Sequence, residues 1–477
     1  MKVLKRILLG VVAVVVALVV LAVGVLMWFN IPQNAAGMAA ETVCAATFVA
    51  GREPDAQQIM ADDVLPASGV LKAISTEIDE QNKTVSARFL GLFGRTAALA
   101  PDRGCVLDLS PDPTAEGYQP PALDPAPWPA GDAATPGAAS AALEQVVDAA
   151  FEGAGDPAAA NARGVAVVQG GQLLAAKEAP GFDPNVALHG WSMTKTIAAM
   201  LFYKKAQEVG LDLNLPVVDA IPADRAPSWV AQWKQDGRAQ ITVADLLFMR
   251  DGLDLNEGYG PTDDVVQMLY GEPDMSGWAA EHRLESKPGT QWEYLSATSN
   301  ILAAVTRSLF ATDEQYLQYA NSALFQPLGA ESATLQTDTA GTWVGSSYQW
   351  ASVRDWAKFG QLMLADGVWQ GQQVIPSGWW QLAGTPAMSS GPGLGYGAQT
   401  WRLGDPVEGA CKDTAGVPAD TLAMEGHWGQ IVAMVPSRDA VVVRLGWTFR
   451  KGQFDDCQFI SDVLAALPPK APQSSQG

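Results

Sequence analysis

Gly190-Trp191-Ser192-Met193-Thr194-Lys195 runs straight into the apolar stretch Ile197-Ala198-Ala199-Met200-Leu201-Phe202-Tyr203. This junction constrains the chain more than any other part of it. The apolar run reads as a helix beginning near residue 192, and residues i and i+3 share a helical face, so a hydroxyl and an amine stand on one turn. A serine attacks a carbonyl only if something takes its proton. A lysine amine does so once desolvation and neighbouring positive charge bring its pKa toward neutrality. The positive end of the helix dipole favours the alkoxide and the oxyanion that follows. The chemistry to which this points is acyl transfer.

Two further motifs follow in the order such chemistry needs. Pro288-Gly289-Thr290-Gln291-Trp292-Glu293-Tyr294-Leu295-Ser296 precedes an apolar helix, Ile301-Leu302-Ala303-Ala304-Val305, so Tyr294 falls at a loop or strand end with its hydroxyl free to point into a cleft. A phenol near a lysine can receive the serine proton and pass it to a leaving group. Glu425-Gly426-His427-Trp428-Gly429-Gln430 leads into Ile431-Val432-Ala433-Met434-Val435, a turn at Pro436-Ser437-Arg438-Asp439, and Ala440-Val441-Val442-Val443-Arg444-Leu445-Gly446. That pattern predicts an antiparallel hairpin. Gly429 lets a substrate lie against the strand edge, and the Gln430 amide is placed to donate one oxyanion-hole hydrogen bond beside the amide of Ser192.

Together the three motifs resemble the β-lactamase-related serine hydrolase family, which includes class C β-lactamases, D-alanyl-D-alanine peptidases, family VIII esterases and 6-aminohexanoate-dimer hydrolases. Ser192-x-x-Lys195, Tyr294-x-Ser296 and His427-x-Gly429 stand where that family has S-x-x-K, Y-x-N and K-T-G or H-x-G. Similar stretches at 241–252, 352–360 and 395–397 extend the resemblance over roughly residues 140–465. It implies an acyl-enzyme on Ser192, Lys195 as general base, Tyr294 as proton relay, and His427 and Gly429 lining the site. Ser296 replaces the usual asparagine, and His427 replaces the lysine whose charge meets the β-lactam carboxylate. Both departures point away from β-lactams and toward esters or amides. Asp254-Leu255-Asn256-Glu257-Gly258-Tyr259 is similar to the acidic-aromatic segment of the 6-aminohexanoate-dimer hydrolase branch, which makes Tyr259 a candidate substrate contact.

The expected fold is α+β and β-lactamase/transpeptidase-like: an antiparallel sheet flanked by helices, with a mostly helical region at 192–365. The helix at 141–151, the Gly-Gly hairpin at 165–174, the late hairpin and the helix at 456–467 join in the sheet layer.

Preceding this is an expected transmembrane span. Ile7 to Phe29 is interrupted only by Gly10 and Gly24, long enough for a bilayer at about 1.5 Å per residue. Lys2, Lys5 and Arg6 precede it, and the next basic residue is Arg52, which places the N-terminus inside. The expectation is therefore a single-pass inner-membrane protein with a periplasmic catalytic domain, partnered by the membrane through residues 1–30. A cleavable signal peptide competes, given the small residues Ala35-Ala36-Gly37-Met38-Ala39-Ala40.

Cys44 and Cys105 lie in the N-terminal region and Cys411 and Cys457 in the C-terminal part. This suggests two local disulfides in an oxidising compartment, although four cysteines allow three connectivities. No C-x-x-C occurs and His189, His282 and His427 show no ligand spacing, so neither metal nor cofactor is expected. With 48% hydrophobic and 17% charged residues the chain has material for a large core. A net charge of −21 argues against nucleic-acid binding. Expected divisions are a span at 1–30, a small unit at 39–110 with strands near 84–90 and 96–99, a Pro-rich linker at 111–137, the hydrolase domain at 138–467 and a disordered tail at 468–477. A non-catalytic envelope binder or sensor on the same fold is the alternative to a hydrolase acting on a small-molecule or peptide ester or amide, or on cell-wall peptides or β-lactams.

Overall fold

The apolar N-terminal run forms α1 (Lys2–Trp28) in the computed structural model, which describes residues 2–67, 69–135, 139–153, 155, 160–449 and 452–470. The expected anchor does not stand. A span needs about 20 consecutive apolar residues, and among the described residues no helix is long and apolar enough to cross a membrane. The transmembrane helix, the single-pass inner-membrane and periplasmic placement and the membrane partner fall with it. Residues 471–477 of the expected tail and 136–138, where linker and hydrolase domain were expected to meet, lie outside the described residues.

The small-residue segment that follows is a packing element. In α2 (Ile31–Cys44) Ala35, Ala36, Gly37, Ala39 and Ala40 are all buried, because short side chains let a helix approach its neighbours closely. One face of α2 lies on a four-stranded antiparallel sheet, β1 (Ile74–Asp79), β2 (Thr84–Phe89), β3 (Phe93–Ala100) and β4 (Gly104–Leu107), in that order. The Cys44–Cys105 disulfide ties α2 to β4. Val43, Val85, Ala87, Ala97 and Leu99 are among the residues of this core.

Residues 111–135 lie along the hydrolase domain. Trp128 is buried edge-on against Trp369, with ring centroids 5.7 Å apart, and the Tyr118 hydroxyl donates to the Asn185 carbonyl at 3.0 Å.

The second sheet has five antiparallel strands and two covered faces. Its helix α3 (Ala141–Glu152) precedes β5 (Ala162–Gln169) and β6 (Gln172–Glu178). Gly170 and Gly171, at φ 58° and 72°, supply the two left-handed residues that a tight hairpin turn requires. The helical region contributes α4 (Thr194–Val209), α5 (Asp264–Gly271), α6 (Ser296–Ser308) and α7 (Val353–Leu364). Then come β7 (Leu422–Gly426), β8 (Gln430–Val435), β9 (Ala440–Gly446) and α8 (Asp456–Ala466). Strand order is β7-β8-β9-β5-β6.

Alternation along each strand divides the core, since successive side chains point to opposite faces. Val432, Met434, Val441 and Val443 face the large core shared with α4, α6 and α7. Ile431, Ala433, Val435 and Val442 face α3 and α8. Burial on both sides explains why these strands read as nearly unbroken apolar runs. The Cys411–Cys457 disulfide links the loop before β7 to α8. The α+β sheet-and-helix arrangement thus stands, without the expected span.

Candidate active site

The serine sits on a strained turn. Trp191, immediately before it, has φ 49°, a left-handed conformation that costs a bulky residue energy and persists only where its surroundings hold it. The Thr194 hydroxyl supplies part of that hold: it donates to the Trp191 carbonyl at 2.6 Å and accepts from the Gln349 amide at 2.9 Å. Ser192 lies in the 3-10 turn Trp191–Met193 that opens α4 and is 9% exposed. On the other side the end of β7 comes against this turn. A Cβ on Gly426 would stand 2.2 Å from the Gly190 carbonyl oxygen, so only glycine permits this approach, and the His427 ring stands 5.5 Å from that of Trp191, the residue before the serine.

Lys195 is buried with its amine at the centre of a polar cluster. Its Nζ contacts Ser192 Oγ at 2.8 Å, Ser296 Oγ at 3.0 Å and the Ser346 carbonyl at 3.2 Å. An ammonium donates to all three; a neutral amine has two N–H groups and one lone pair, so one contact must reverse. The Ser346 carbonyl can only accept. The Ser296 hydroxyl already donates its one proton to Glu257 Oε1 at 2.6 Å. Ser192 is therefore the one of the three partners able to donate to the lone pair. Burial pushes the Lys195 pKa down to about 8, against the opposing pull of the Glu257 carboxylate.

Glu257 was not singled out by sequence reasoning, although it lies in the acidic-aromatic segment that was. Its Oε2 accepts the Ser296 amide at 2.6 Å, placing negative charge at the N-terminus of α6, where the helix dipole favours it.

Two tyrosines border the serine. The Ser192 hydroxyl opposes part of the upward pKa shift of the Tyr259 and Tyr294 phenols, as Ser296 does for Tyr259. Lys195 Nζ lies 4.7 Å from the centroid of the Tyr294 ring, which is stacked on Trp401 at 5.1 Å. Burial raises both phenol pKa values above the usual range, so each stays protonated at neutral pH.

His427 stacks on Tyr259, with centroids 4.0 Å apart and planes at 14°. Desolvation lowers its pKa to about 4, which leaves the ring neutral at pH 7. The following turn is pinned from behind. Gly429 has φ 83°, and its carbonyl accepts from Arg444 Nη1 at 2.6 Å. Arg444 is fully buried and also donates to the Ala160 carbonyl and Thr448 Oγ1, both at 2.7 Å. Gln430 begins β8, paired with Gly426. Its side-chain amide donates to the His427 carbonyl at 3.1 Å and accepts from the Gly446 amide at 3.0 Å. Arg444 was another residue missed: within a β-branched run it looks like a surface charge, yet it clamps the turn.

Of the remaining histidines, one lies directly behind the serine turn. His189 is sandwiched between Trp191 and Trp350, with centroids at 4.4 and 4.6 Å, and His282 packs edge-on against Trp278.

The β-lactamase family model matches residues 141–458, and the chain belongs to that family, as a serine hydrolase. Among its relatives, the 6-aminohexanoate-dimer hydrolase of Paenarthrobacter ureafaciens is 26% identical over 303 residues, covering 58% of this chain and 71% of that protein. The fold is also that of a family VIII carboxylesterase, with TM-score 0.52 and 14% identity over 68% of this chain and 97% of the other. A penicillin-binding protein homologue from Caulobacter crescentus gives TM-score 0.51 and 16% identity over 70% of this chain and 99% of that one.

Proposed function

We propose that the chain hydrolyses an ester or amide through an acyl-enzyme on Ser192, with Lys195 as general base and Tyr294 as proton relay. The observation that carries this reading is the hydrogen-bond directionality around Lys195. With Ser346 able only to accept and Ser296 committed to Glu257, the lone pair of a neutral Lys195 faces Ser192 Oγ. Proton removal from the nucleophile is then the direction that the cluster favours. As Oγ attacks the carbonyl carbon, its proton passes to Nζ, and the amides of Ser192 and Gln430 stabilise the oxyanion. Tyr294, whose ring centroid lies 4.7 Å from Lys195 Nζ, carries a proton to the leaving alkoxide or amine and later helps water deacylate the enzyme.

A neutral His427 offers no charge to a carboxylate, which supports uncharged esters or amides over penicillins or peptides ending in D-alanine. A relative named as a 6-aminohexanoate-dimer hydrolase supports an amide as one substrate to test. Intact mass after exposure to a fluorophosphonate, and separately to a labelled penicillin, tests the reading. A phosphonate adduct lost in Ser192→Ala, with no penicillin adduct, is expected. Penicillin capture would shift the substrate to the cell wall, and no adduct from either reagent would leave a non-catalytic binder.

A further inference from the structure

Two tryptophans beside the nucleophile have strained backbone. Trp191, before Ser192, has φ 49°, and Trp428, between His427 and Gly429, has φ 62°. A bulky residue keeps a left-handed conformation only where its surroundings over-determine it. Both indoles pack on one further residue, Trp447, which follows β9 and is 2% exposed. Its ring centroid lies 5.9 Å from that of Trp191 and 5.3 Å from that of Trp428. Thr448, the next residue, donates its amide to the Trp428 carbonyl at 2.9 Å. The serine turn and the His427 turn thus share one buried support.

What fixes Trp447 includes a distant part of the chain. Its Nε1 donates to the Asp63 carbonyl at 3.2 Å, and the Arg163 guanidinium lies 4.4 Å from the centroid of its ring. The Asp63 carboxylate pairs with Arg163 and, at 2.7 Å, with Arg52. The Asp63 and Arg163 side chains are only 1% and 4% exposed. Removing one partner from such a pair leaves a buried charge uncompensated. Arg163 lies on β5. Asp63 lies between α2 and β1, in the turn Met60–Val64, outside the matched family region of 141–458.

We propose that Trp447, held by Asp63 and Arg163, is a positioning residue for acyl transfer, and that the N-terminal part of the chain is through it a working part of the active site. The proposal rests on the acyl-enzyme reading of Ser192. The two amides assigned to the oxyanion, those of Ser192 and Gln430, follow the strained tryptophans by one and two residues, so a shift of either indole moves an amide. Charge develops on that oxygen only as the carbonyl is attacked. Lost spacing therefore slows the chemical step and leaves ground-state binding alone.

The test uses the full chain. Trp447→Phe loses the Nε1 donor and part of the ring, and Asp63→Asn loses the charge that holds Arg163. In both, kcat for p-nitrophenyl hexanoate per phosphonate-reactive site is expected to fall at least about ten-fold, with KM within about two-fold of wild type. Binding of hexylboronic acid, which forms a tetrahedral adduct with a serine, should weaken by the factor lost from kcat/KM. Val85→Ala opens a cavity in the N-terminal core, which does not include Trp447; it should lower the melting temperature and leave kcat per site unchanged. Hydrogen exchange over 189–195 and 426–431 should quicken in the first two variants and not in the third. Wild-type kcat in Trp447→Phe, or an equal loss in Val85→Ala, would overturn the proposal. If Trp447→Phe does not fold, Asp63→Asn decides. If wild-type Ser192 takes no phosphonate, the hydrolase reading fails and hydrogen exchange decides alone: quickened exchange leaves the support of both turns standing, and unchanged exchange removes it.

Discussion

Replacing Glu257 by Gln should move the acid limb of kcat/KM to lower pH. In the proposed mechanism Lys195 acts as base only when neutral, so activity should rise with pH through its pKa, near 8 with Glu257 in place. The carboxylate stabilises the charged amine and holds that pKa up; removing the charge lowers it. Glu257 Oε1 is 2.6 Å from Ser296 Oγ, which is 3.0 Å from Nζ, so the two charges stand at most about 5.6 Å apart. With an effective dielectric constant near 20 their attraction is about 3 kcal/mol, equivalent to roughly two pH units at 1.36 kcal/mol each. Glu257 is half-buried, and solvent screening reduces this to about one to two pH units. Gln keeps an acceptor for the Ser296 hydroxyl but sets its NH2 against the Ser296 amide, so an unchanged circular-dichroism spectrum and melting temperature are required alongside the profile. The assay is the pH profile of ester hydrolysis by wild type and Glu257→Gln. A limb that stays in place or moves upward would refute the coupling, and complete loss at every pH would make Glu257 itself the base.

Other expectations concern the framework. Gly426→Ala puts a Cβ 2.2 Å from the Gly190 carbonyl and must push the His427 turn off the serine; displacement by about 1 Å can cost about 100-fold in rate, read as kcat/KM with an unchanged circular-dichroism spectrum. Burial raises the Glu41 pKa from 4.5 to about 7. Between these values the folded chain keeps a proton that the unfolded chain has lost, so stability falls as pH rises from about 4.5 to about 7 and levels off above. Glu41→Gln should abolish that fall and add up to about 3 kcal/mol at pH 8 by urea unfolding; an unchanged pH dependence would contradict it. Removing the Cys44–Cys105 bridge, which spans 61 residues, with a paired Cys→Ala change should cost about 4 kcal/mol by the loop-entropy relation, and a loss below about 1 kcal/mol would show that α2 packing alone holds the layer.

What could be read from the sequence follows the range of the interactions. Ser192 and Lys195 lie one helical turn apart, and the Gly170-Gly171 turn and the 431–446 hairpin are set by neighbours, so local rules reach them. Glu257 and Ser296 meet across 39 positions, and Arg444 reaches Ala160 across 284; no local pattern pairs them. Ile74–Asp79 was missed as a strand because it carries Glu77 and Asp79 at its exposed positions. The Ala35–Ala40 segment reads as a cleavage site, since small residues suit a protease as well as they suit a buried helix. Apolar length likewise argued for a span over 7–29, and the described residues provide no helix that meets that requirement.

The proposed mechanism requires a covalent intermediate on Ser192 formed with Lys195 as base. Its most direct test is acid-quenched intact mass of the full chain mixed with an excess of p-nitrophenyl hexanoate, followed by peptide mapping, in wild type and Lys195→Ala. One hexanoyl group on the peptide holding Ser192, formed in wild type within the p-nitrophenol burst and absent from Lys195→Ala, is the predicted result. Steady turnover without an acyl group on Ser192 and without a burst, or equal acylation in the two proteins, would contradict it.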